Sequence, residues 1–272
     1  MHRFVFMAAV CALTALSLPA AAQAQAPRAD QALQDCMRLP DPDRNIKDCT
    51  TVIDRGASEK ARTRAIAHLN RAIAFLQKGD GARGLADLDA AVTLDPSLAA
   101  AYYNRALYHH RAGDLARAKA DYTHVVTIDP RMANAFGNRG NIHYAEGDFD
   151  AALKDFEQAL QLLPDNAGLI HQIGVVHLAM SDPERAIAQF DRAIALAPKA
   201  PRFRFSRGRA YAQQGAFARA REDFAAAHAA DTRHAESAAC LKATEAALEA
   251  EGRRSAVPAL PGYCVRDTER RT

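Results

Sequence analysis

Small and apolar residues recur through the middle of this chain at a constant spacing of thirty-four residues. Residues 101–130 align without an insertion on residues 67–96 and 135–164, and again on residues 169–198 and 203–232. A fixed period of this length predicts stacked supersecondary units, each of which buries its faces against its neighbours, rather than one globular core.

Columns of equivalent residues show what each unit contains. Small residues let two helices approach closely, and a ring fills the space opposite them. The two small columns are Ala72, Ala106, Gly140, Gly174, Gly208 and Gly84, Ala118, Ala152, Ala186, Ala220, and the ring column is Leu88, Tyr122, Phe156, Phe190, Phe224. A glycine is expected to end the first helix of a unit, and a proline to follow the second. The glycines are Gly79, Gly113, Gly147 and Gly215, with Ser181 in the fourth unit, and the prolines are Pro96, Pro130, Pro164 and Pro198.

The third copy carries a specific signature. The spacing W-x2-L-G-x2-Y…A-x3-F…P is matched by Phe136, Arg139, Gly140, His143, Ala152, Phe156 and Pro164. The chain therefore resembles a tetratricopeptide-repeat (TPR) protein, and its DCTTVIDRG stretch is similar to the segment that precedes the repeats in many exported bacterial members. The resemblance implies an all-α, right-handed superhelical solenoid of five helix-turn-helix repeats, at residues 65–98, 99–132, 133–166, 167–200 and 201–234.

The two ends of the chain predict an export signal and caps. Residues 1–24 combine Arg3, an apolar run and a small-residue site at Ala22 and Ala24, so we predict a signal peptide that is cleaved after Ala24. We expect an N-terminal helical cap at residues 25–64, a C-terminal capping helix at residues 235–252 and a tail at residues 253–272. The mature chain is expected to have no membrane span and to be periplasmic or secreted.

Four cysteines lie beyond the predicted signal peptide: Cys36, Cys49, Cys240 and Cys264. An even number in an exported chain predicts disulfides. Stacked helices lie about 10 Å apart, so five repeats would separate the first two cysteines from the last two by far more than the roughly 7 Å that a disulfide spans. We therefore predict the bonds Cys36–Cys49 and Cys240–Cys264. A zinc site is the competing interpretation, although the sequence has no C-x2-C motif.

Charge and motifs argue against catalysis, nucleic acid and cofactors. A net charge of +3 without a long basic run does not indicate nucleic acid. His109, His143 and His177 recur at the repeat spacing, but equivalent atoms about 10 Å apart cannot share one zinc ion, so packing is the better interpretation. No H-E-x-x-H or G-x-S-x-G motif occurs. We expect no enzyme activity, no metal site and no cofactor.

Two charged columns lie sixteen residues apart. Arginines stand at Arg71, Arg105, Arg139 and Arg207, and aspartates at Asp87, Asp121, Asp155 and Asp223. In the fourth repeat both charges are replaced together, by Ile173 and Gln189. Joint loss is what an ion pair within each repeat predicts, because a pair between repeats would leave one partner alone. We interpret these columns as structural bridges rather than ligand contacts.

The resemblance also implies that one face of the first helices lines a concave groove. Asparagines repeated there can bind the backbone of an extended peptide, since an amide offers both donors and acceptors. Arg202 and Arg209 would favour an acidic residue at one end of such a ligand. The bland alternative is that N-R-G/A is simply a common helix-start sequence in this family. The implied groove residues are Asn70, Tyr103, Asn104, Asn138, Asn141, Tyr144, His171, Gln172, Arg202, Phe205 and Arg209.

These expectations favour a non-catalytic interaction scaffold in the cell envelope, whose groove binds a segment of a protein or peptide partner. The alternative is a structural subunit of an envelope assembly that uses its convex face or self-association. The two are distinguished by whether substitutions of groove residues such as Asn104 and Asn138 abolish partner binding.

Overall fold

Helices dominate the part of the chain that the structure describes. This structure is a computed structural model, and it describes residues 28–38, 41–233, 235–253 and 257–265. The predicted signal peptide and its cleavage site lie outside the described residues. The helices are α1 Arg28–Met37, α2 Pro42–Ile53, α3 Ala61–Gln77, α4 Gly81–Leu94, α5 Ala99–Arg111, α6 Leu115–Ile128, α7 Ala133–Glu146, α8 Phe149–Leu162, α9 Ala167–Ala179, α10 Pro183–Leu196, α11 Pro201–Gln213, α12 Phe217–Ala230, α13 Ala235–Gly252 and α14 Gly262–Val265.

The chain divides into two compact units, the first ending at Pro130 and the second beginning at Arg131. In the first unit, α3 packs against α4 and α5 against α6, and α4 also contacts α5. The hairpin of α1 and α2 packs on α3 in the place of a further helix pair. Leu69, Ile73 and Leu88 form the core of the first pair. The predicted all-α repeat architecture is confirmed for these helices.

The second unit repeats the same packing. The helix pairs α7–α8, α9–α10 and α11–α12 each pack internally, and α13 packs on α12. Phe156, Phe190 and Phe224 are fully buried in the ring column. A Cβ atom added at Gly174 would lie 2.6 Å from the Phe190 ring. The contact between α9 and α10 at this point is therefore too close for a residue larger than glycine. The paired small and ring columns predicted from the sequence are therefore confirmed.

The turn inside each helix pair has a left-handed backbone residue. Gly147 ends α7 with φ 82°, and the glycines of three other turns have the same sign. Ser181 takes this conformation without being a glycine, at φ 61°. A side chain in this region costs energy because Cβ crowds the backbone. The geometry of the turn is therefore kept even where the residue that suits it is missing.

Aspartate caps the second helix in four of the five pairs, a feature that our sequence analysis did not use. The side chain of Asp114 accepts a hydrogen bond from the backbone N–H of Arg117, and Asp148 does the same for Ala151. Asp80 and Asp182 repeat the contact. In the last pair Ala216 occupies the cap position and makes no such bond. These caps satisfy backbone donors that would otherwise lack partners.

Both disulfides are present in the predicted pairing. Cys36 on α1 is bonded to Cys49 on α2, and Cys240 on α13 is bonded to Cys264 on α14. All four side chains are fully buried. The first bond holds the N-terminal hairpin together. The second returns the chain after α13 to the body of the second unit.

Candidate protein-binding groove

The arginine and aspartate columns form ion pairs within the helix pairs, as predicted. Arg139 donates from Nε and Nη2 to the two carboxylate oxygens of Asp155, at 2.8 and 2.7 Å. The same two-bond geometry joins Arg71 to Asp87, Arg105 to Asp121 and Arg207 to Asp223. The aspartates are buried. The pairs therefore hold the two helices of a repeat together, and their charged groups are engaged with each other rather than with a ligand.

Some of these arginines also reach a second carboxylate that the sequence analysis missed. Arg105 Nη1 donates to Asp89 Oδ1 of the preceding helix pair at 2.8 Å, and Arg207 Nη1 donates to Asp191 Oδ1 at 2.5 Å. Hydrogen bonds to Asp121 raise the pKa of Arg105, and they outweigh the opposing effect of burial. The arginine thus links neighbouring repeats as well as the helices of one repeat. Its second partner lies sixteen residues before it, a spacing that the sequence shows in only some repeats.

The first repeat adds a histidine to its ion pair. His68 Nδ1 lies 2.7 Å from Asp87 Oδ1, beside Arg71. Burial raises the pKa of Asp87, but the hydrogen bonds from Arg71 and His68 outweigh it and hold that pKa below its ordinary value. Asp87 is therefore a charged, fully engaged structural group.

In the first unit the predicted groove asparagines are buried and bonded internally. Asn104 has no exposed surface, and its Nδ2 donates to the Ala100 carbonyl at 2.8 Å. Asn70 Nδ2 donates to the Cys36 carbonyl at 3.1 Å, so it holds the backbone of α1. Tyr103 is buried too, with its ring 5.9 Å from that of Tyr122. A side chain must be exposed to meet a ligand, and these three are not.

Three predicted groove residues of the second unit are also buried. His171 Nε2 lies 2.8 Å from Ser206 Oγ, and its ring lies 5.0 Å from that of Phe203. Phe205 packs 5.5 Å from Phe224, and Arg209 retains only 5% exposure. The two arginines therefore do not form a pair of exposed side chains. Arg202 is exposed and lies over the Phe203 ring, whereas Arg209 is enclosed.

The remaining predicted residues form a half-exposed polar patch on α7 and α9. Gln172 Nε2 donates to Asn141 Oδ1 at 2.7 Å, joining the two helices. Within the described residues, Gln172 Oε1 and Asn141 Nδ2 make no further hydrogen bond. Tyr144 lies one turn beyond Asn141 on the same helix face, and Asn138 is half-buried on α7. We call Asn141, Tyr144 and Gln172 the amide patch.

The histidine column packs between helices and shows no metal geometry. His109 is buried, and burial lowers the pKa of His177. His143 Nδ1 lies 3.7 Å from Asp148 and 3.9 Å from Glu146, distances that are long for an ion pair. No cluster of three or more ligating side chains that could hold a metal ion occurs in the described part of the chain. Likewise, none of its helices combines the length and apolar character that a membrane span requires.

Asn70, Asn104, Asn138, Gln172 and Ser206 recur at the repeat spacing, and this asparagine column continues beyond the five repeats. Thirty-four residues before Asn70 stands Cys36, and thirty-four after Ser206 stands Cys240. Both disulfides therefore use the same helix position as the asparagines, in α1 and α13. Extending the period past the five frames would have found this relation.

Family profiles and solved structures agree with this architecture. Profiles described as tetratricopeptide repeat match residues 69–133, 133–166 and 173–249. No curated protein matches the chain by sequence. The structure of YrrB, a TPR protein with an unusual peptide-binding site, is similar with a TM-score of 0.63 and 21% identity, over 71% of this chain and 97% of that one.

Other solved structures share the fold at comparable distance. The Pseudomonas aeruginosa pilF protein is similar with a TM-score of 0.59 and 21% identity, over 72% of this chain and 88% of that one. MamA from Desulfovibrio magneticus RS-1 is similar with a TM-score of 0.59 and 18% identity, over 62% of this chain and 96% of that one. Together with the repeat pattern and the helix pairs, the matching profiles establish that the chain belongs to the tetratricopeptide-repeat family.

Proposed function

We propose that this protein is a non-catalytic scaffold that binds an extended segment of a partner protein across the amide patch on α7 and α9. The TPR fold supports protein–protein interaction, and members of the family are typically non-catalytic. The observation that carries the proposal is the bonded pair Asn141–Gln172. Gln172 Nε2 donates to Asn141 Oδ1, which leaves Gln172 Oε1 and Asn141 Nδ2 for a ligand.

The chemistry of the amide patch suits a peptide backbone. Gln172 Oε1 can accept from a ligand N–H, and Asn141 Nδ2 can donate to a ligand C=O. The bond between the two side chains fixes their positions before a ligand arrives, so less side-chain entropy is lost on binding. Tyr144, half-buried against Phe149, lies on the same face, and Arg202 on α11 is an exposed cation. We expect the patch to read backbone more than side chains, with a preference for an acidic residue near Arg202.

The buried asparagines of the first unit show the same chemistry used internally. Asn70 binds the carbonyl of Cys36, which is a peptide group of another helix. YrrB, a protein of this fold, is described as having a peptide-binding site. Both observations support backbone recognition by the polar face of the first helices as a property of this architecture.

We further propose that the protein works in the cell envelope, in the periplasm or secreted. Two buried disulfides suit an oxidising compartment. Edman sequencing of the protein recovered from the exported fraction should begin near Gln25. Recovery of the protein with Met1 in place would contradict export through a cleaved signal.

Partner capture tests the proposed function. Mature wild-type protein and the double variant Asn141→Ala, Gln172→Ala should be immobilised side by side and exposed to envelope extract, with bound proteins identified by mass spectrometry. A control variant, Gln158→Ala, changes an exposed glutamine on α8 instead. The proposal expects a partner that wild type and control retain and the double variant loses. Equal capture by all three would contradict it.

Exposed leucines favour the alternative of an assembly subunit. Leu162 and Leu196 end α8 and α10 at equivalent positions and keep 37% and 46% of their surface exposed, and Leu163 is exposed beside them. Apolar side chains that recur in this way can form a contact between subunits. Light scattering of the mature protein and of a Leu162→Ser, Leu196→Ser variant tests this. A wild-type oligomer that the variant breaks into monomers would support the alternative, and a monomeric wild type would exclude self-association.

A further inference from the structure

The C-terminal segment folds back onto the first helix of the last repeat. Residues Val257–Val265 include the short helix α14, which packs on both α11 and α13. Leu260, Tyr263 and Val265 pack against a cluster that contains Phe205, Ala212 and the second disulfide. We call Val257–Val265 the plug.

The plug lies on the side of the repeat that the family pattern assigns to the groove. Both helices that it contacts are first helices of their repeats, since Cys240 of α13 falls thirty-four residues after Ser206 of α11. Phe205, which belongs to the cluster that the plug packs on, is one of the predicted groove residues. The segment therefore occupies the same row of helix faces that carries the amide patch, at its α11 end.

A covalent tether holds the plug in place. Cys264 is fully buried and is bonded to Cys240 across 24 residues of sequence. The Cys264 N–H donates to the Pro261 carbonyl at 2.8 Å, which closes a turn just before the tether. Tethering keeps the segment at a high effective concentration near its docking surface, so a short contact is enough to hold it there.

We propose that the plug is an intramolecular ligand that closes the α11 end of the groove. This proposal rests on the proposed function, because it assumes that the face of α7, α9 and α11 receives partner segments. A segment bound at the amide patch then stops where the plug begins. The surface beneath the plug suits an apolar segment like the plug itself, which supplies Leu260, Tyr263 and Val265.

A tryptophan reporter tests the docking of the plug without any partner. The chain contains no tryptophan, so Phe205→Trp gives a single tryptophan in the cluster that the plug packs on. In the full chain we expect blue-shifted emission and weak quenching by acrylamide. Adding Leu260→Asp and Tyr263→Asp together with Cys240→Ser and Cys264→Ser should red-shift the emission and raise the quenching constant at least about twofold, because the aromatic side chain gains water contact.

The control reporter is Phe75→Trp on α3 in the first unit, which is not part of the cluster that the plug packs on. Its emission should not change when the same four substitutions are added. Unchanged emission and quenching of the Phe205→Trp reporter, with helicity retained, would overturn the plug. Since no partner is used, this result is independent of whether the amide patch binds one.

Hydrogen exchange of the wild-type chain gives a second test that needs no folded variant. Amides of residues 257–265 should exchange at least about tenfold more slowly than an unstructured peptide of the same sequence, because docking protects them. Exchange at the unstructured rate would overturn the proposal even if the reporter variants failed to fold.

Discussion

At the scale of single residues, the most local test concerns Ser181. Its φ of 61° is a conformation that costs a non-glycine residue about 1–3 kcal/mol. A glycine would remove this cost, but it would also make the unfolded chain more flexible, which offsets part of the gain in stability. Ser181→Gly should therefore stabilise the protein by about 1 kcal/mol and raise the Tm by about 2–4 °C. Thermal unfolding followed by circular dichroism measures this.

The matched control is Gly147→Ser, which places a serine in the equivalent turn at φ 82°. It should lower the Tm by a similar amount. A Ser181→Gly variant with an unchanged or lower Tm would show that the left-handed turn in the fourth repeat is not strained.

The ion pair of the third repeat predicts non-additive mutations. Arg139→Ala removes two charged hydrogen bonds from the buried Asp155 carboxylate, and Asp155→Ala removes the same two bonds from the guanidinium. Each single change should cost about 2 kcal/mol or more, since an unpaired buried charge is expensive. The double variant should cost about 1–2 kcal/mol less than the sum. Denaturant unfolding of the four proteins gives the coupling energy.

The fourth repeat supplies a natural control for this cycle. There Ile173 and Gln189 occupy the two positions, and Ile173 is buried. Arg139→Ile with Asp155→Gln copies that solution and should be tolerated better than either single change. Additive costs, or a double variant worse than both, would leave the joint loss of charge in the fourth repeat without a physical cause.

The pairing of side chains was easier to predict from the sequence than the burial of single side chains. The Arg–Asp pairs were predictable, because both columns change together in one repeat. The burial of Asn104 was not, since Asn104 and the half-exposed Asn138 occupy the same position in successive repeats and are the same residue type. Which of the two is exposed depends on the neighbouring helices, and a period of thirty-four residues does not encode that difference.

At the scale of helix pairs, the α3–α4 contact should depend on pH. Asp87 accepts from Arg71 and His68, and its pKa lies below the ordinary value. Its stabilising contribution is therefore complete above the unfolded pKa of about 3.9 and is lost as the pH falls through the lowered folded pKa. Asp87→Asn should strongly lower the free energy of unfolding at pH 7. The difference in this free energy between the variant and the wild type should become smaller below about pH 4.

Urea unfolding at several pH values between 7 and 3 tests this expectation. Asp165→Asn, in the exposed loop after α8, is the control and should stay close to the wild type at every pH. A gap between Asp87→Asn and the wild type that stays constant down to pH 3 would contradict a stabilising charge on Asp87.

The helix pairs were predictable from the sequence because each pair contains residues that mark its helix ends and its helix contact. Turn glycines, closing prolines and small columns fix where helices begin, end and cross. Helix α3 begins at Ala61, four residues before the predicted start of the first repeat at residue 65. The thirty-four-residue period places the repeats but does not locate the first residue of a helix. The packing of the plug on α11 was not predictable, since its sequence has no repeat and indicated only the Cys240–Cys264 bond.

At the scale of the whole molecule, the family and the all-α architecture follow from the repeat alone. What the chain binds does not follow from the repeat, because the repeat pattern specifies the packing of the helices and not the chemistry of their exposed side chains. In this chain most of that face is committed to internal contacts. The amide patch and Arg202 are the predicted groove residues best placed to meet a partner.

The most direct test of this account is a calorimetric titration of the captured partner segment against the wild type, the Asn141→Ala, Gln172→Ala variant and the Gln158→Ala control. Losing the two amides should weaken binding by about tenfold or more, since each unpaired ligand group costs about 1–3 kcal/mol. Circular dichroism should show all three equally folded, and the control should bind as the wild type does. Equal affinity of the wild type and the double variant would contradict recognition at the amide patch.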